Sequence, residues 1–165
     1  MTPGKLLSLL FFGLCSLPGW AQQCIPAGAD DQAGPRLLPH ADGTLTDTAR
    51  QLRWQRCAVG QQWRNASCEG RPRRLTLAEA RRQGGDGWRL PTLQELSAIV
   101  DLRCSRPAID GKRFPNTPAA DFWTATVFAS DDGPARRYWQ VQFLYGESNL
   151  GSGDDRAYVR LVRDE

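Results

Sequence analysis

Histidine is nearly missing: His40 is the only one in 165 residues. It sits in a Pro-flanked loop, far in sequence from every cysteine. A zinc centre would draw on such a ring or on a CxxC pair, and the chain has no CxxC pair either. Lysine is scarce, with only Lys5 and Lys112. Long apolar stretches are also lacking. The one extended run, residues 6–17 (LLSLLFFGLCSL), is too short for a comfortable membrane span, and no second run is long enough. No stable membrane insertion is expected. The formal charge of +3 falls to +2 if Lys5 is removed, so net charge selects no partner, and no nucleic-acid partner is expected.

Residues 1–21 read as an export signal. Lys5 supplies the positive start, residues 6–17 the apolar region, and Pro18-Gly19-Trp20-Ala21 ends on a small residue suited to cleavage. Leu14 stands where lipoprotein processing wants a small residue before Cys15, which argues against a lipid anchor. The mature chain then starts near Gln22 and is expected in the periplasm or outside the cell. About 144 residues remain, enough for one domain with one core.

Four cysteines stay in that part: Cys24, Cys57, Cys68 and Cys104. An even number in an exported domain implies two disulfides, with three possible connectivities. Cys57 and Cys68 flank a compact loop and are paired here. That leaves Cys24 with Cys104, a bridge that would staple the N-terminus behind the middle of the chain and contribute roughly 4 kcal/mol.

The organising stretch is GWRLPTLQELSAIVD, residues 87–101. Pro91 biases Leu90 to extended backbone. Thr92 reads as an N-cap with Glu95 closing a capping box. Leu93, Leu96, Ile99 and Val100 recur at helical spacing, so a helix over about 93–101 is expected, pinned in the core by Trp88. Thr76 and Glu79 form a second capping box, opening a helix over about 77–83 that Gly84-Gly85 ends. Asp42-Gly43 marks a hairpin turn. Residues 52–57 (LRWQRC) read as a strand with Trp54 buried. Residues 122–126 (FWTAT) read as a buried strand, and 130–134 as a turn. Residues 137–143 and 156–163 each alternate as half-buried strands. The expected fold is α+β, two short helices packed on small twisted antiparallel sheets.

The chain holds 19 arginines. A guanidinium binds carboxylate, phosphate and sulfate in a planar fork, so an Arg-rich surface suits anionic partners. A GC-rich genome would produce the same bias. Five arginines crowd into residues 71–82: Arg71, Arg73, Arg74, Arg81 and Arg82. They are the candidate anion-binding patch; a solvated helix face, with Arg81 and Arg82 complementing the helix dipole, is the plainer reading. Asp42 and Asp47 lack the dense carboxylate series and terminal Glu of an EF-hand, so they read as turn residues. Asp131-Asp132 and Asp154-Asp155 could offer oxygens to calcium, but no spacing fixes a ligand set.

Taken in order, DGTLTD (42–47), LRWQRC, Gly60 with Trp63, Cys68, residues 77–80, the organising stretch, PAID (107–110), FPNTP (114–118), FWTAT and YVRLVR resemble one bacterial domain family. It is named for the C-terminal domain of the collagen-like adhesin Lcl. The resemblance runs from about Ala41 to the C-terminus, leaving 22–40 as an N-terminal extension. It implies an exported, disulfide-containing domain with a C-type-lectin-like fold, similar in architecture to the formylglycine-generating enzymes. In the Lcl adhesin the domain is implicated in binding sulfated glycosaminoglycans. Here no Gly-x-y repeat precedes it, so trimerisation is not implied.

Three functions follow as expectations. The first is a non-catalytic binding domain for an anionic polysaccharide or another envelope or surface partner. The second is an accessory structural subunit of a pilus, secretion or envelope complex. The third is a formylglycine-generating type of enzyme; its reactive cysteines are hard to find in a set that pairs evenly. No cofactor is expected, with calcium left open.

Overall fold

Sixteen glycines and eleven prolines cut this chain into short extended runs. The structure, a computed structural model, describes residues 22–26, 37–129 and 136–165. In chain order its elements are β1 (Gln23–Cys24), β2 (Leu37–Pro39), β3 (Thr44–Asp47), β4 (Leu52–Gln55), β5 (Gln62–Arg64) and β6 (Ser67–Glu69). Then come α1 (Leu77–Arg81), α2 (Leu93–Ser97), β7 (Cys104–Ser105), β8 (Asp121–Phe128), β9 (Arg137–Gln142), β10 (Glu147–Ser152) and β11 (Val162–Asp164). All ladders between these strands are antiparallel. They form a four-stranded sheet in the order β11-β4-β3-β2, a three-stranded sheet β10-β9-β8, and the two-stranded pairs β1-β7 and β5-β6. The leader, most of the segment before Leu37, and the expected turn at 130–134 with Asp131 and Asp132 lie outside the described residues.

The N-terminal hairpin follows its turn chemistry. Gly43 takes φ +81°, and Asp42 Oδ1 accepts from the Thr44 N–H at 3.0 Å and its hydroxyl at 2.6 Å. That register sets Leu45 opposite Trp54, and both are fully buried. Trp54, Leu96, Phe114, Phe122 and Phe143 anchor one core cluster. Trp123, Leu75, Leu77, Leu90 and Val159 anchor a second. Each such buried side chain contributes roughly 2–3 kcal/mol. Trp123 Nε1 also donates to the Leu75 carbonyl at 2.7 Å. Trp88, expected in the core, packs against the second cluster only half-buried. The tight turn from Gly85 to Trp88 leaves its ring half-buried, under the Arg163 guanidinium at 4.8 Å.

Both capping boxes form as their spacing requires. Both helices stop after five residues, short of the expected ends. In α2 the Ile99 and Val100 amides bond three residues back, to Leu96 and Ser97, and Val100 then bridges Ile109. Ile99 still reaches the core, so the helical spacing outlasts the helix.

Two strand expectations need correction. Residues 156–163 do not run as one alternating strand, because they change partners. Ala157 bridges Leu75, Tyr158 bridges Phe122, and only β11 pairs with β4. Between those bridges Val159, Arg160 and Leu161 are all buried. In β9 Gln140 is also buried, with its side-chain amide lying over Gly151 of the neighbouring strand β10. The Gly- and Ser-rich β10 gave no strand signal in the sequence. Gly151 leaves room for the buried Gln140 amide, which a Cβ there would displace.

The disulfides join Cys24 to Cys104 and Cys57 to Cys68. The first spans 80 residues and ties β1 to β7; the second spans 11 and closes the β5-β6 hairpin region.

Candidate binding surface

The arginine cluster rests on a buried rail. Leu75 exchanges backbone hydrogen bonds with Ala157, and Leu77 and Ala80 bury the inner face of α1. Arg71, Arg73, Arg74, Arg81 and Arg82 are therefore all turned to solvent. Arg73 Nη2 donates to Gln83 Oε1 at 2.7 Å. Arg74 Nε donates to the Arg156 carbonyl at 3.0 Å, and Arg156 Nη1 returns a bond to the Arg74 carbonyl at 3.0 Å. Arg81 lies over the Tyr138 ring at 5.4 Å.

Arg156 thus joins the patch from far along the chain. The sequence carried no signal for it, because pairing between distant segments, the Leu75–Ala157 bridge among it, brings the two together. Arg156 also approaches Glu79 at 3.6 Å. The Thr76 N–H, helped by Arg156 and Arg82, holds the Glu79 carboxyl below the usual range. Among the described residues, none of the five predicted arginines stands within 4.0 Å of a carboxylate oxygen. Guanidiniums held by neutral acceptors keep their charge for a partner.

Two other arginines face inward. Arg56 Nε and Nη2 donate to the carbonyls of Arg113 and Lys112 at 2.8 and 2.7 Å, and the guanidinium lies over Trp63 at 3.9 Å. Arg160 is fully buried. It donates to the carbonyls of Gln55 and Arg56 and to Thr117 Oγ1, and stacks near Phe114 at 4.7 Å. Among the described residues no carboxylate lies within ion-pair distance of it. Burial pushes its pKa down to about 9, which still leaves it charged at neutral pH. Together they clamp the loop between Asp110 and Thr117 from beneath.

That loop walls a cleft of about 710 Å³, lined among others by Gln22, Cys24, Arg106, Lys112 and Asn116. In the sequence this loop stands out only by its turn-forming residues Pro107, Gly111, Pro115 and Asn116. His40 Nε2 is hydrogen-bonded to Thr46 Oγ1 at 2.7 Å, within the β2-β3 hairpin. Asp42 and Asp47 serve their turns, as read: Asp47 Oδ1 accepts from the Ala49 and Arg50 amides at 3.1 and 3.2 Å. Asp155 Oδ2 accepts from the Ser152 amide at 2.8 Å, and Asp154 sits in the same turn. Among the described residues no three His, Cys, Asp or Glu side chains converge on one point. All four described cysteines are in disulfides.

The architecture defines a disulfide-stapled domain of small antiparallel sheets that presents an arginine-rich face. The chain belongs to the Lcl C-terminal domain family, whose model matches residues 43–163. Neither a curated protein nor a solved structure matches it significantly. Among the described residues no helix is long and apolar enough to cross a membrane.

Proposed function

We propose that this protein is an exported, non-catalytic binding domain that recognises an anionic glycan through Arg71, Arg73, Arg74, Arg81, Arg82 and Arg156. The observation that carries this reading is the solvent-facing set of guanidiniums: among the described residues only Arg156 of the six, which Glu79 meets at 3.6 Å, has a carboxylate within ion-pair distance. The other five offer planar forks to sulfate or carboxylate without first breaking an internal ion pair. Membership of an adhesin-related family supports the same reading. The pairing of Cys24, Cys57, Cys68 and Cys104 supports a non-catalytic role, since a disulfide sulfur is not a free thiolate nucleophile. The C-type-lectin-like architecture belongs to this proposal, as does location in the periplasm or outside the cell. Calcium stays a secondary element, and a calcium-dependent rise in melting temperature would reveal it.

The test is retention on immobilised heparin. The processed protein should bind at low salt and elute as salt screens the contacts. Replacing Arg71, Arg73 and Arg74 together with Gln should cut retention while leaving the melting temperature unchanged. Flow-through of the unmodified protein at low salt would refute the glycan reading.

A further inference from the structure

Around the Cys24–Cys104 bridge the molecule carries a second surface, separate from the arginine patch, and we infer that it docks on an anionic lipid surface. Leu102 is 77% exposed, Ile25 72% and Tyr145 46%. Single exposed aliphatics are ordinary on a protein surface; neighbouring ones flanked by cations are not. The Ile25 amide donates to the Arg103 carbonyl at 2.8 Å, which sets Ile25 beside the Leu102 segment. A Cβ on Gly146 would lie 3.0 Å from Leu102 Cδ2, so Leu102 sits against the turn that bears Tyr145. Arg106 Nη2 donates to the Tyr145 hydroxyl at 3.3 Å.

The charges fit the same partner. Asp101 and Asp110 are engaged by Arg103 and Arg113 at 2.8 and 2.7 Å. Arg106 and Lys112 line the adjoining cleft, and among the described residues neither pairs with a carboxylate. Glu147, next to Gly146, is an exposed carboxylate on the same turn. Aliphatic tips that enter a headgroup layer, a Tyr at its level and cations that reach phosphate match an interfacial contact. The core of a protein–protein interface would instead be depleted of charge.

The first described residue is anchored on the same face. The Gln22 side chain donates through Nε2 to the carbonyls of Pro107 and Ile109 at 2.8 and 2.5 Å, which fixes the start of the described chain on this face. The inference does not depend on the glycan reading.

Sedimentation with lipid vesicles tests it, using processed protein recovered from the exported fraction. Vesicles of phosphatidylglycerol mixed with phosphatidylcholine should pull the protein down, and phosphatidylcholine alone should not. Ile25→Ser with Leu102→Ser should weaken partitioning about tenfold, since both side chains are exposed and their loss leaves the fold intact. Arg106→Gln with Lys112→Gln should remove the preference for the anionic lipid. Three results would overturn the inference. One is no sedimentation on the anionic vesicles. Another is binding lost in the Arg71, Arg73, Arg74 variant but unaffected by the Ile25 and Leu102 changes. The third is a dimer in solution that Leu102→Ser dissociates, which would make a second copy of the chain the occupant.

Discussion

Arg160 shows how far a single side chain can depart from its sequence pattern. In YVRLVR it occupies an outward position by alternation, yet it is fully buried with three hydrogen-bonded acceptors and aromatic rings around it. A buried cation without a carboxylate is costly by itself. What retains it is the clamp on the carbonyls of Gln55 and Arg56 and on Thr117. Arg160→Ala should cost about 3–5 kcal/mol in a urea titration, because it opens a cavity and orphans those acceptors. Arg160→Met should cost less, since it fills most of the space. Equal stability of Ala and native protein would show that the clamp contributes nothing. A smaller test lies in the turn between β5 and β6. Asn65 and Ala66 both take positive φ, +50° and +56°. Asn tolerates that region and Ala does not. Ala66→Gly should therefore raise stability by about 0.5–1 kcal/mol in thermal unfolding, after allowing for the freer unfolded chain.

At the level of elements, the capping boxes explain why two helices of five residues exist at all. Helices this short do not persist in isolation. In α2 Glu95 accepts from the Thr92 amide at 2.7 Å and from both Nη atoms of Arg89 at 2.8 and 2.9 Å; Arg89 in turn reaches Asp164 on β11 at 2.9 Å. One carboxylate thus ties the helix start to the edge of the large sheet. Burial alone would raise the Glu95 pKa, but Arg89 and Thr92 outweigh it and hold the group below its ordinary 4.5. A depressed carboxylate stabilises the fold above the unfolded pKa and loses that contribution as pH falls through the folded value. Glu95→Gln should therefore cost about 1 kcal/mol at pH 7. The gap from native protein should shrink as pH drops through and below 4.5. A gap that stayed constant down to acid pH would contradict the ion pair's role.

For the whole molecule, the local signals were the legible ones. Thr76 with Glu79, Thr92 with Glu95, Asp42-Gly43 and the buried Trp54 each announce themselves within a few residues. Cysteine spacing gave the pairing, and ordered short motifs gave the family. What stayed hidden depends on contacts between distant segments. β10 is readable only once β9 lies beside it. The C-terminal run looks like one strand because nothing local reveals its changes of partner. Arg156 enters the patch, and Gln22 the cleft, through bonds to residues about 80 positions away. The arginine cluster itself was visible as composition, but its lack of carboxylate neighbours was not.

The central claim is that this exposed charge, held on a rigid oxidised frame, is what the protein offers to its partner. The direct measurement is calorimetric titration of the processed protein with a sulfated oligosaccharide at several salt concentrations. The account predicts measurable binding that weakens steadily with salt, and at least a tenfold loss when Arg71, Arg73 and Arg74 are changed to Gln with the melting temperature preserved. Binding indifferent both to salt and to those three substitutions would contradict it.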